Sequence, residues 1–282
     1  MKHQIKMIGL DLDGTLLNEK KEILPYTRQI LNQAIEQGII VLAATGRPFM
    51  GIPEELRLYP GIRYAITSNG ARVIDTKERK PLIERLLPME RGKKALETFR
   101  KYDTLQEVYF DGQGYVEEQK LKNIGHYHHD SNMWEYVLKS RKAVRDIAAL
   151  IEHKNKDMDK IQAVFADSEE QKAAWAELEK QEGIVLVTSL GYNIEINASG
   201  VNKGTALLGL GKVLGIRREE IMACGDRDND IAMLKEAGLG VAVENAEEEV
   251  KAAADYITLS NIEEAKYGIG GADLSSTTDL TA

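Results

Sequence analysis

The first and last thirds of the chain alternate short apolar runs with segments of helical spacing. The apolar runs predict buried strands at residues 5–10, 39–43, 64–67, 221–224, 240–243 and 256–259. Apolar residues that recur every three or four positions predict helices at residues 23–37, 203–214 and 228–237. Nearly continuous apolar strands between amphipathic helices are typical of a parallel sheet covered on both faces. The two ends of the chain therefore predict one α/β domain.

The middle of the chain has a different pattern, in which hairpins are mixed with helices. It predicts strands at residues 107–110, 115–118, 160–166, 184–189 and 192–196, and helices at residues 89–102, 142–154 and 169–181. Asp111-Gly112-Gln113-Gly114 is a hairpin turn signal between the first two of these strands. We therefore expect an α+β domain at residues 85–190, inserted into a core of residues 1–84 and 191–282. Residues 268–282 are rich in Gly, Ser and Thr and predict a loose tail.

The composition limits the classes of partner. The chain has 282 residues, which favours about two domains. Acidic residues outnumber Lys and Arg by 45 to 37, and the resulting net charge of −8 argues against broad binding of nucleic acids or anionic membranes. The lone cysteine, Cys224, excludes an intramolecular disulfide and a thiolate zinc site. Because the longest uncharged run, residues 183–194, is shorter than the ~20 residues of a membrane helix, we expect a soluble, cytoplasmic protein.

Two carboxylates follow the first predicted strand. Asp11 and Asp13 stand one residue apart directly after residues 5–10, and Gly14 permits a sharp turn. Open α/β sheets bind ligands beyond the carboxyl ends of their strands, and Mg²⁺ commonly takes one or two carboxylates together with a substrate phosphate. The alternative is an ordinary acidic turn, since Asp-Gly pairs are common in turns.

Three further segments occupy equivalent positions. Thr45-Gly46-Arg47 follows a predicted strand, and its hydroxyl and backbone amides could hold phosphate oxygens. Lys203 begins a predicted helix, where an ammonium group and a helix N-terminus both favour an anion. Residues 225–230 (Gly-Asp-Arg-Asp-Asn-Asp) follow another strand with three acids that could complete a metal site. The plainer interpretations are a strand-to-helix turn for the first segment, a surface lysine for the second and an acid-rich helix start for the third. Ser68-Asn69-Gly70 is a weaker segment that could simply close its strand.

These segments occur together in the order and spacing of the haloacid dehalogenase superfamily. The chain resembles the Cof-type, subfamily IIB branch of sugar-phosphatase-like hydrolases. The resemblance rests on Asp11-Leu12-Asp13-Gly14-Thr15-Leu16-Leu17, Ala44-Thr45-Gly46-Arg47, Ser68-Asn69-Gly70-Ala71, Lys203-Gly204 and Gly225-Asp226-x-x-Asn229-Asp230. It spans nearly the whole chain and implies an α/β fold with a Rossmann-like core, a parallel sheet and an inserted α+β cap of the C2B type.

The resemblance also implies a role for each motif residue. Asp11 matches the nucleophile that forms an aspartyl-phosphate, and Asp13 matches the general acid/base. A Mg²⁺ site is implied at the Asp11 carboxylate, the Asp13 backbone carbonyl and Asp226, with Asp230 supporting it. Phosphate contacts are implied for the Leu12 amide, Thr45, Gly46, Lys203 and Asn229. The chemistry is coherent, because cations offset the repulsion between a carboxylate and a phosphate dianion, and covalent capture divides hydrolysis into two displacements.

We expect a Mg²⁺-dependent phosphatase whose partner is a small phosphate ester, such as a sugar phosphate. Two alternatives stay open: a phosphomutase of the same superfamily, and a non-catalytic sensor that binds a phosphorylated ligand. Specificity is expected in the cap, where Tyr109, Tyr115, His126 and His128 combine ring surface with a polar tip. The adjacent histidines, His129 included, are expected to be solvated rather than metal ligands.

Overall fold

The computed structural model describes residues 4–262, which divide into two units. The first unit is built on an eight-stranded sheet. This core unit comprises residues 4–46, 53–83 and 202–262, and the second, the cap unit, comprises residues 47–52 and 84–201. The expected fold class, a parallel-sheet α/β core with an inserted α+β domain, is confirmed. The tail expected at residues 268–282 lies outside the described residues.

The core sheet is mostly parallel. Its strands, numbered in chain order across both units, are β1 Met7–Leu10, β2 Ile40–Ala44, β3 Tyr64–Thr67, β4 Arg72–Asp75, β5 Lys80–Glu84, β12 Ile221–Gly225, β13 Leu239–Ala242 and β14 Tyr256–Ile257. Their spatial order is β14-β13-β12-β1-β2-β3-β4-β5, parallel from β14 to β3, with β4 antiparallel to β3. The helices of this unit are α1 Pro25–Glu36, α2 Glu54–Arg57, α9 Lys203–Leu214, α10 Ile231–Glu236 and α11 Glu248–Ala253.

The parallel register brings the carboxyl ends of the central strands together. Leu10 of β1 stands opposite Ala43 of β2 on one side and Cys224 of β12 on the other. All four residues of β1 are buried, and α9 packs closely on the strand, because a Cβ on Gly9 would lie 2.9 Å from Leu207 Cδ1. The segments that follow Leu10, Ala44 and Gly225 therefore leave the sheet side by side.

The cap unit is built on a separate six-stranded sheet. Its strands are β6 Thr104–Phe110, β7 Gln113–Glu117, β8 Arg141–Val144, β9 Lys160–Phe165, β10 Ile184–Val187 and β11 Asn193–Ala198. The spatial order is β10-β11-β9-β6-β7-β8, antiparallel throughout except for the parallel pair β7 and β8. Its helices are α3 Met89–Phe99, α4 Glu118–Leu121, α5 Ile124–Tyr127, α6 Ser131–Ser140, α7 Ile147–Lys154 and α8 Ser168–Leu178.

The sequence prediction is wrong in one stretch of the cap. The helix predicted at residues 142–154 is in fact β8 followed by α7. The Asp146 carboxylate accepts hydrogen bonds from the amides of Ala148 and Ala149, so it caps the helix there and leaves the preceding residues to pair with β7.

The division between the units also differs from the expected boundaries of the insert at residues 85 and 190. Strand β11 pairs with β9 and β10 in the cap sheet, so the cap unit extends to residue 201. Ile194 and Ile196 of this strand are fully buried in the cap's hydrophobic core. Residues 47–52 also group with the cap unit, and the Met50 amide donates to the Gly112 carbonyl across 3.0 Å.

Candidate active site

The site of the core unit begins where β1 ends. The Asp11 amide donates to the Cys224 carbonyl across 2.9 Å, which continues the pairing of β1 with β12 by one residue. The chain then turns tightly, and the Leu16 and Leu17 amides donate back to the carbonyls of Asp11 and Leu12. Asp11 is thereby fixed with its side chain 6% exposed, next to the segment that follows β12.

A buried lysine bridges two of the acids. Lys203 is the first residue of α9, and Asn202 caps this helix by accepting a hydrogen bond from the Thr205 amide. Its Nζ lies 2.6 Å from Asp11 Oδ1 and 2.7 Å from Asp230 Oδ1, and the side chain is only 1% exposed. The surface-lysine interpretation of Lys203 is therefore wrong.

Three buried carboxylates lie together at this place, and Lys203 pairs with two of them. Oxygens of Asp11, Asp226 and Asp230 all lie within 4.8 Å of one another. Thr15 Oγ1 donates to Asp226 Oδ1 across 2.8 Å, and the Asp226 amide donates to Asp230 Oδ2 across 3.0 Å. An all-oxygen donor set with an excess of negative charge suits a hard divalent cation such as Mg²⁺, so the residues fit the implied metal.

The pKa values reflect this surplus of charge. Burial raises the pKa of Asp11 well above its usual range, although the ammonium of Lys203 opposes the shift. Burial, reinforced by the charge of Asp230, raises the pKa of Asp226 to about 6. Burial alone would lower the pKa of Lys203, but the carboxylates of Asp11 and Asp230 outweigh it and raise that pKa. Burial therefore makes the charged forms of Asp11 and Asp226 costly, and a bound cation would reduce that cost.

Glycines allow the acids to approach the backbone this closely. Gly14 has φ +90°, and a Cβ there would lie 2.3 Å from Asp226 Oδ2. A Cβ on Gly225 would lie 2.4 Å from the Cβ of Asp230. Each of these two motif positions therefore requires glycine, because any larger residue would clash with Asp226 or Asp230.

Asp13 lies apart from the buried cluster. Its carboxylate is more than a third exposed, and its Oδ1 accepts from Lys21 Nζ across 2.7 Å. The metal contact implied for Asp13 uses the backbone carbonyl rather than the carboxylate, and it stays a prediction, as does the role of general acid/base.

The polar segments after β2, β3 and β12 meet at a second place in the core unit. Asn229 Nδ2 donates to Asn69 Oδ1 across 3.2 Å, and a Cβ on Gly46 would lie 2.7 Å from that same oxygen. The Asn69 amide donates to the carbonyl of the buried Thr45 across 3.1 Å. Asn69 has φ 59° and ψ 20°, a left-handed conformation that asparagine tolerates well. The weak Ser68-Asn69-Gly70 segment thus belongs with Thr45, Gly46 and Asn229.

The sequence reasoning missed two asparagines that hold the turn after Asp11. Asn245 Nδ2 donates to the Gly14 carbonyl, and Asn261 Nδ2 donates to the Leu17 carbonyl, each across 2.8 Å. The Asn261 amide in turn donates to Asn245 Oδ1. Each asparagine stands two residues after a predicted strand, at residues 240–243 and 256–259, which is a weak signal on its own.

The four residues expected to line the cap occupy different environments. Tyr109 is fully buried, and His128 is 1% exposed, so the expectation that the adjacent histidines are solvated is wrong for His128, although His126 and His129 are exposed. Tyr115 packs beside Phe110 in the apolar core of the cap, and His126 Nε2 lies 2.6 Å from the exposed Asp103 Oδ2. Of the four, Tyr109 and His128 are therefore the two that are buried beside other polar side chains.

Comparison with known proteins identifies similar chains over almost the full length. A family model of the haloacid dehalogenase-like hydrolases matches residues 8–266. The 5-amino-6-(5-phospho-D-ribitylamino)uracil phosphatase YcsE of Bacillus subtilis is 34% identical over 260 residues, 92% of each chain. The pyridoxal phosphate phosphatase YbhA of Escherichia coli is 29% identical and covers 91% of this chain and 94% of its own. A solved haloacid dehalogenase-like hydrolase from B. subtilis has a TM-score of 0.80 at 30% identity and covers 91% of this chain and 95% of its own.

These matches confirm the resemblance that the motifs indicated. Within residues 4–262, every helix falls short of the length and hydrophobicity that a membrane span requires.

Proposed function

This chain belongs to the haloacid dehalogenase-like hydrolase family, and we propose that it is a Mg²⁺-dependent phosphatase of small phosphorylated metabolites. The observation that carries the proposal is the position of Asp11. Its Oδ1 is held 2.6 Å from the buried Lys203 Nζ, in a cluster with Asp226 and Asp230 that suits a divalent cation. A carboxylate held beside positive charge is positioned to attack a dianionic phosphoryl group, because that charge offsets the repulsion between the two anions.

In the proposed reaction, an Asp11 carboxylate oxygen forms a bond to phosphorus while the bond from phosphorus to the ester oxygen breaks. Asp13 donates a proton to that leaving oxygen. In the second displacement Asp13 takes a proton from water, the water oxygen bonds to phosphorus, and the bond between Asp11 and phosphorus breaks. Inorganic phosphate leaves, and both acids return to their starting states.

The remaining motif residues bind the phosphoryl group and the metal. The proposed Mg²⁺ ligands are the carboxylates of Asp11 and Asp226 and the backbone carbonyl of Asp13, with Asp230 as a further acid of the cluster. When bound, the ion supplies positive charge that offsets the negative charge of the phosphoryl oxygens. Lys203, whose Nζ lies 2.6 Å from Asp11 Oδ1, would add a second positive charge. The proposed phosphate contacts from the remaining residues are the Leu12 amide, Thr45, Gly46 and Asn229.

The names of the relatives support an organic phosphate as the substrate. YcsE is named for a phosphoribityl aminouracil and YbhA for pyridoxal phosphate. Both compounds join one phosphate monoester to a small organic group that carries hydroxyl or N–H groups. We propose the same broad class for this chain.

A screen of phosphorylated metabolites tests the proposal, with release of inorganic phosphate as the readout. We expect release from at least one small ester in the presence of Mg²⁺, and none from the Asp11→Asn variant, whose amide cannot attack phosphorus. Circular dichroism of that variant controls for folding. Conversion of a sugar phosphate to a positional isomer without phosphate release would instead identify a phosphomutase, and binding without any turnover would identify a sensor.

A further inference from the structure

The chain forms a second turn in the core unit, directly after the first motif, at residues 18–22. The Asn18 amide donates to the Glu22 carbonyl across 3.0 Å, and the Lys21 amide donates to the Asn18 carbonyl across 2.9 Å. The Glu22 amide in turn donates to Asn18 Oδ1 across 3.0 Å. Three hydrogen bonds therefore fix the backbone of this segment, which we call the 18–22 turn, and they fix Lys21 with it.

Lys21 has an unusual backbone conformation within the 18–22 turn. Its φ is +64°, in the left-handed region that glycine and asparagine adopt more readily than lysine does. Such conformations are unfavourable, persist only where the surrounding structure imposes them, and cluster at functional sites. A glycine at this position would avoid the cost, so the side chain of Lys21 needs a reason of its own.

The side chain of Lys21 reaches back along the chain to Asp13. Lys21 Nζ lies 2.7 Å from Asp13 Oδ1, and the two side chains are 42% and 38% exposed. An ion pair as exposed as this one contributes little to the free energy of unfolding, because solvent and salt screen it and both side chains lose rotamer freedom. Stability alone therefore does not account for a lysine held in an unfavourable backbone conformation beside this acid.

The two acids of the first motif pair with different lysines. The buried Lys203 pairs with Asp11 and with Asp230, whereas Lys21 pairs with Asp13 at a more exposed place. The proposed nucleophile and the proposed general acid/base therefore each have a cation of their own.

The backbone and the side chain of Asp13 are held by different contacts. Asn245 donates to the carbonyl of the next residue, Gly14, and Asp13 itself forms an isolated bridge with Leu17, so the main chain is fixed. The carboxylate extends away from these contacts, and Lys21 holds one of its oxygens. A general acid or base acts only within hydrogen-bond reach of the atom with which it exchanges a proton, so the orientation of this carboxylate matters for the reaction.

We propose that Lys21 is a positioning residue, whose ammonium group holds the Asp13 carboxylate in the orientation that its two proton transfers require. This inference rests on the proposed phosphatase function. Asp13 gives its proton to the leaving oxygen and later takes a proton from water, while the ammonium group of Lys21 keeps its own protons in both steps. Lys21 therefore acts through Asp13, and it contributes most where the leaving group most needs a proton.

Two aryl esters of similar shape test this inference. Phenyl phosphate and p-nitrophenyl phosphate share a ring, but the nitro group stabilises the departing phenolate, so the phenyl ester depends more on a proton from Asp13. The readout is the ratio of kcat/KM for phenyl phosphate to kcat/KM for p-nitrophenyl phosphate. Lys21→Met removes the ammonium group and keeps a side chain at the same φ. The matched control is Lys20→Met, which removes the same charge from the neighbouring position of the 18–22 turn.

We expect Lys21→Met to lower this ratio by about fivefold or more, and both Lys21→Arg and Lys20→Met to leave it within about twofold of the wild type. A purely structural role for Lys21 would lower both rates alike and leave the ratio unchanged, which would overturn the inference. An equal fall in Lys20→Met would assign the effect to the charge of the turn as a whole and would also overturn it. If Lys21→Met does not fold, Lys21→Gln takes its place with the same expected result.

A double-variant cycle tests whether Lys21 acts through Asp13. In an Asp13→Asn background the phenyl ester has already lost its proton donor, so we expect Lys21→Met to change the ratio by less than about twofold there. A further fall of about fivefold in that background would show that Lys21 acts independently of Asp13 and would overturn the inference.

The same measurements distinguish this inference from the proposed function. Hydrolysis of both esters by the wild type, with an unchanged ratio in Lys21→Met, would contradict the inference alone. Absence of hydrolysis of every ester by the wild type would contradict the phosphatase proposal, and the inference with it.

Discussion

The core unit and the cap unit each bury a cluster of charges, but the two clusters are composed differently. In the core, three carboxylates lie close together, only one ammonium group, that of Lys203, pairs with any of them, and the pKa values of Asp11 and Asp226 are raised. In the cap, Glu107 and Glu195 are each matched by one cation. The core cluster therefore has a surplus of negative charge that a divalent cation can balance, whereas the cap cluster is balanced. The surplus of negative charge in the core cluster is what suits it to a divalent cation, and the balanced charges of the cap cluster offer no such site.

Of the changes that distinguish the two clusters, removal of metal is expected to have the largest effect, because it should abolish activity. Excess chelator should reduce phosphate release to the background rate, and added Mg²⁺ should restore it, because the proposed ligands are all oxygens. Mg²⁺ at about 100 times its dissociation constant should also stabilise the fold by about 2.7 kcal/mol. Thermal unfolding with and without Mg²⁺ checks this, with Asp226→Asn as the variant that loses the shift. Full activity in excess chelator would contradict the metal assignment.

Loss of one cap cation should lower the free energy of unfolding relative to the wild type by the same amount with and without Mg²⁺. Arg141→Met leaves Glu107 buried without its ion-pair partner, and we expect a loss of about 3–5 kcal/mol in the free energy of unfolding. The double variant Glu107→Leu/Arg141→Met should lose less, because no charge is then stranded. Urea denaturation measures both.

The matched change in the core is Lys203→Met, which leaves Asp11 and Asp230 without their ion-pair partner. Its loss of stability should be partly recovered by Mg²⁺, while that of Arg141→Met should not be. If Mg²⁺ recovered the same fraction of the lost stability in both variants, relative to the wild type, the distinction between the two clusters would be contradicted.

Alanine variants of two glycines distinguish the effect of backbone strain from the effect of crowding at the proposed metal site. Gly14 and Gly38 have similar positive φ values, +90° and +81°, but a Cβ on Gly14 would meet Asp226, while a Cβ on Gly38 would meet nothing within 4 Å. Both Gly→Ala variants should lose about 1–2 kcal/mol from strain, because an L residue at positive φ brings its Cβ too close to the backbone. Only Gly14→Ala should also raise the Mg²⁺ concentration needed for half-maximal activity. A similar rise in Gly38→Ala would show that strain alone accounts for the effect.

The pH dependence of Mg²⁺ binding gives the smallest expected effect. The pKa of Asp226 is raised to about 6 before metal binds, and the ion binds the ionised form. Protons therefore compete with Mg²⁺ below about pH 6, and the apparent dissociation constant should increase up to about tenfold for each unit of further acidification. Titration of the Mg²⁺-induced thermal shift between pH 5 and 7 measures this. An affinity independent of pH would argue against Asp226 as a ligand.

The core site was more predictable from sequence than the cap. Asp11, Thr45, Lys203 and Asp226 stand at strand ends or a helix start, and a parallel sheet brings such positions together whatever the details of packing. Asn245 and Asn261 follow the same rule, but single asparagines after strands are too common for the sequence to mark them.

The buried polar side chains of the cap sheet could not be predicted, because they look like an exposed strand face. Glu107 and Tyr109 alternate with Val108 and Phe110, as residues do on a strand with one face in water. Only the tertiary structure shows that Glu107 is buried, and only the strand registers place Gln162 of β9 opposite Glu107 and Glu195 of β11 opposite Gln162. The grouping of residues 47–52 with the cap likewise depends on contacts between residues far apart in the chain.

The central claim is that Asp11 carries the phosphoryl group, and trapping the intermediate tests it most directly. In Asp13→Asn the second displacement lacks its base, while p-nitrophenyl phosphate has a leaving group that needs no acid for the first. Acid quenching of this variant during turnover, followed by peptide mass spectrometry, should find a phosphoryl group on the peptide that contains Asp11, and should find none when Asp11→Asn is added. A phosphoryl group on another residue, or phosphate release that continues in Asp11→Asn, would contradict the claim.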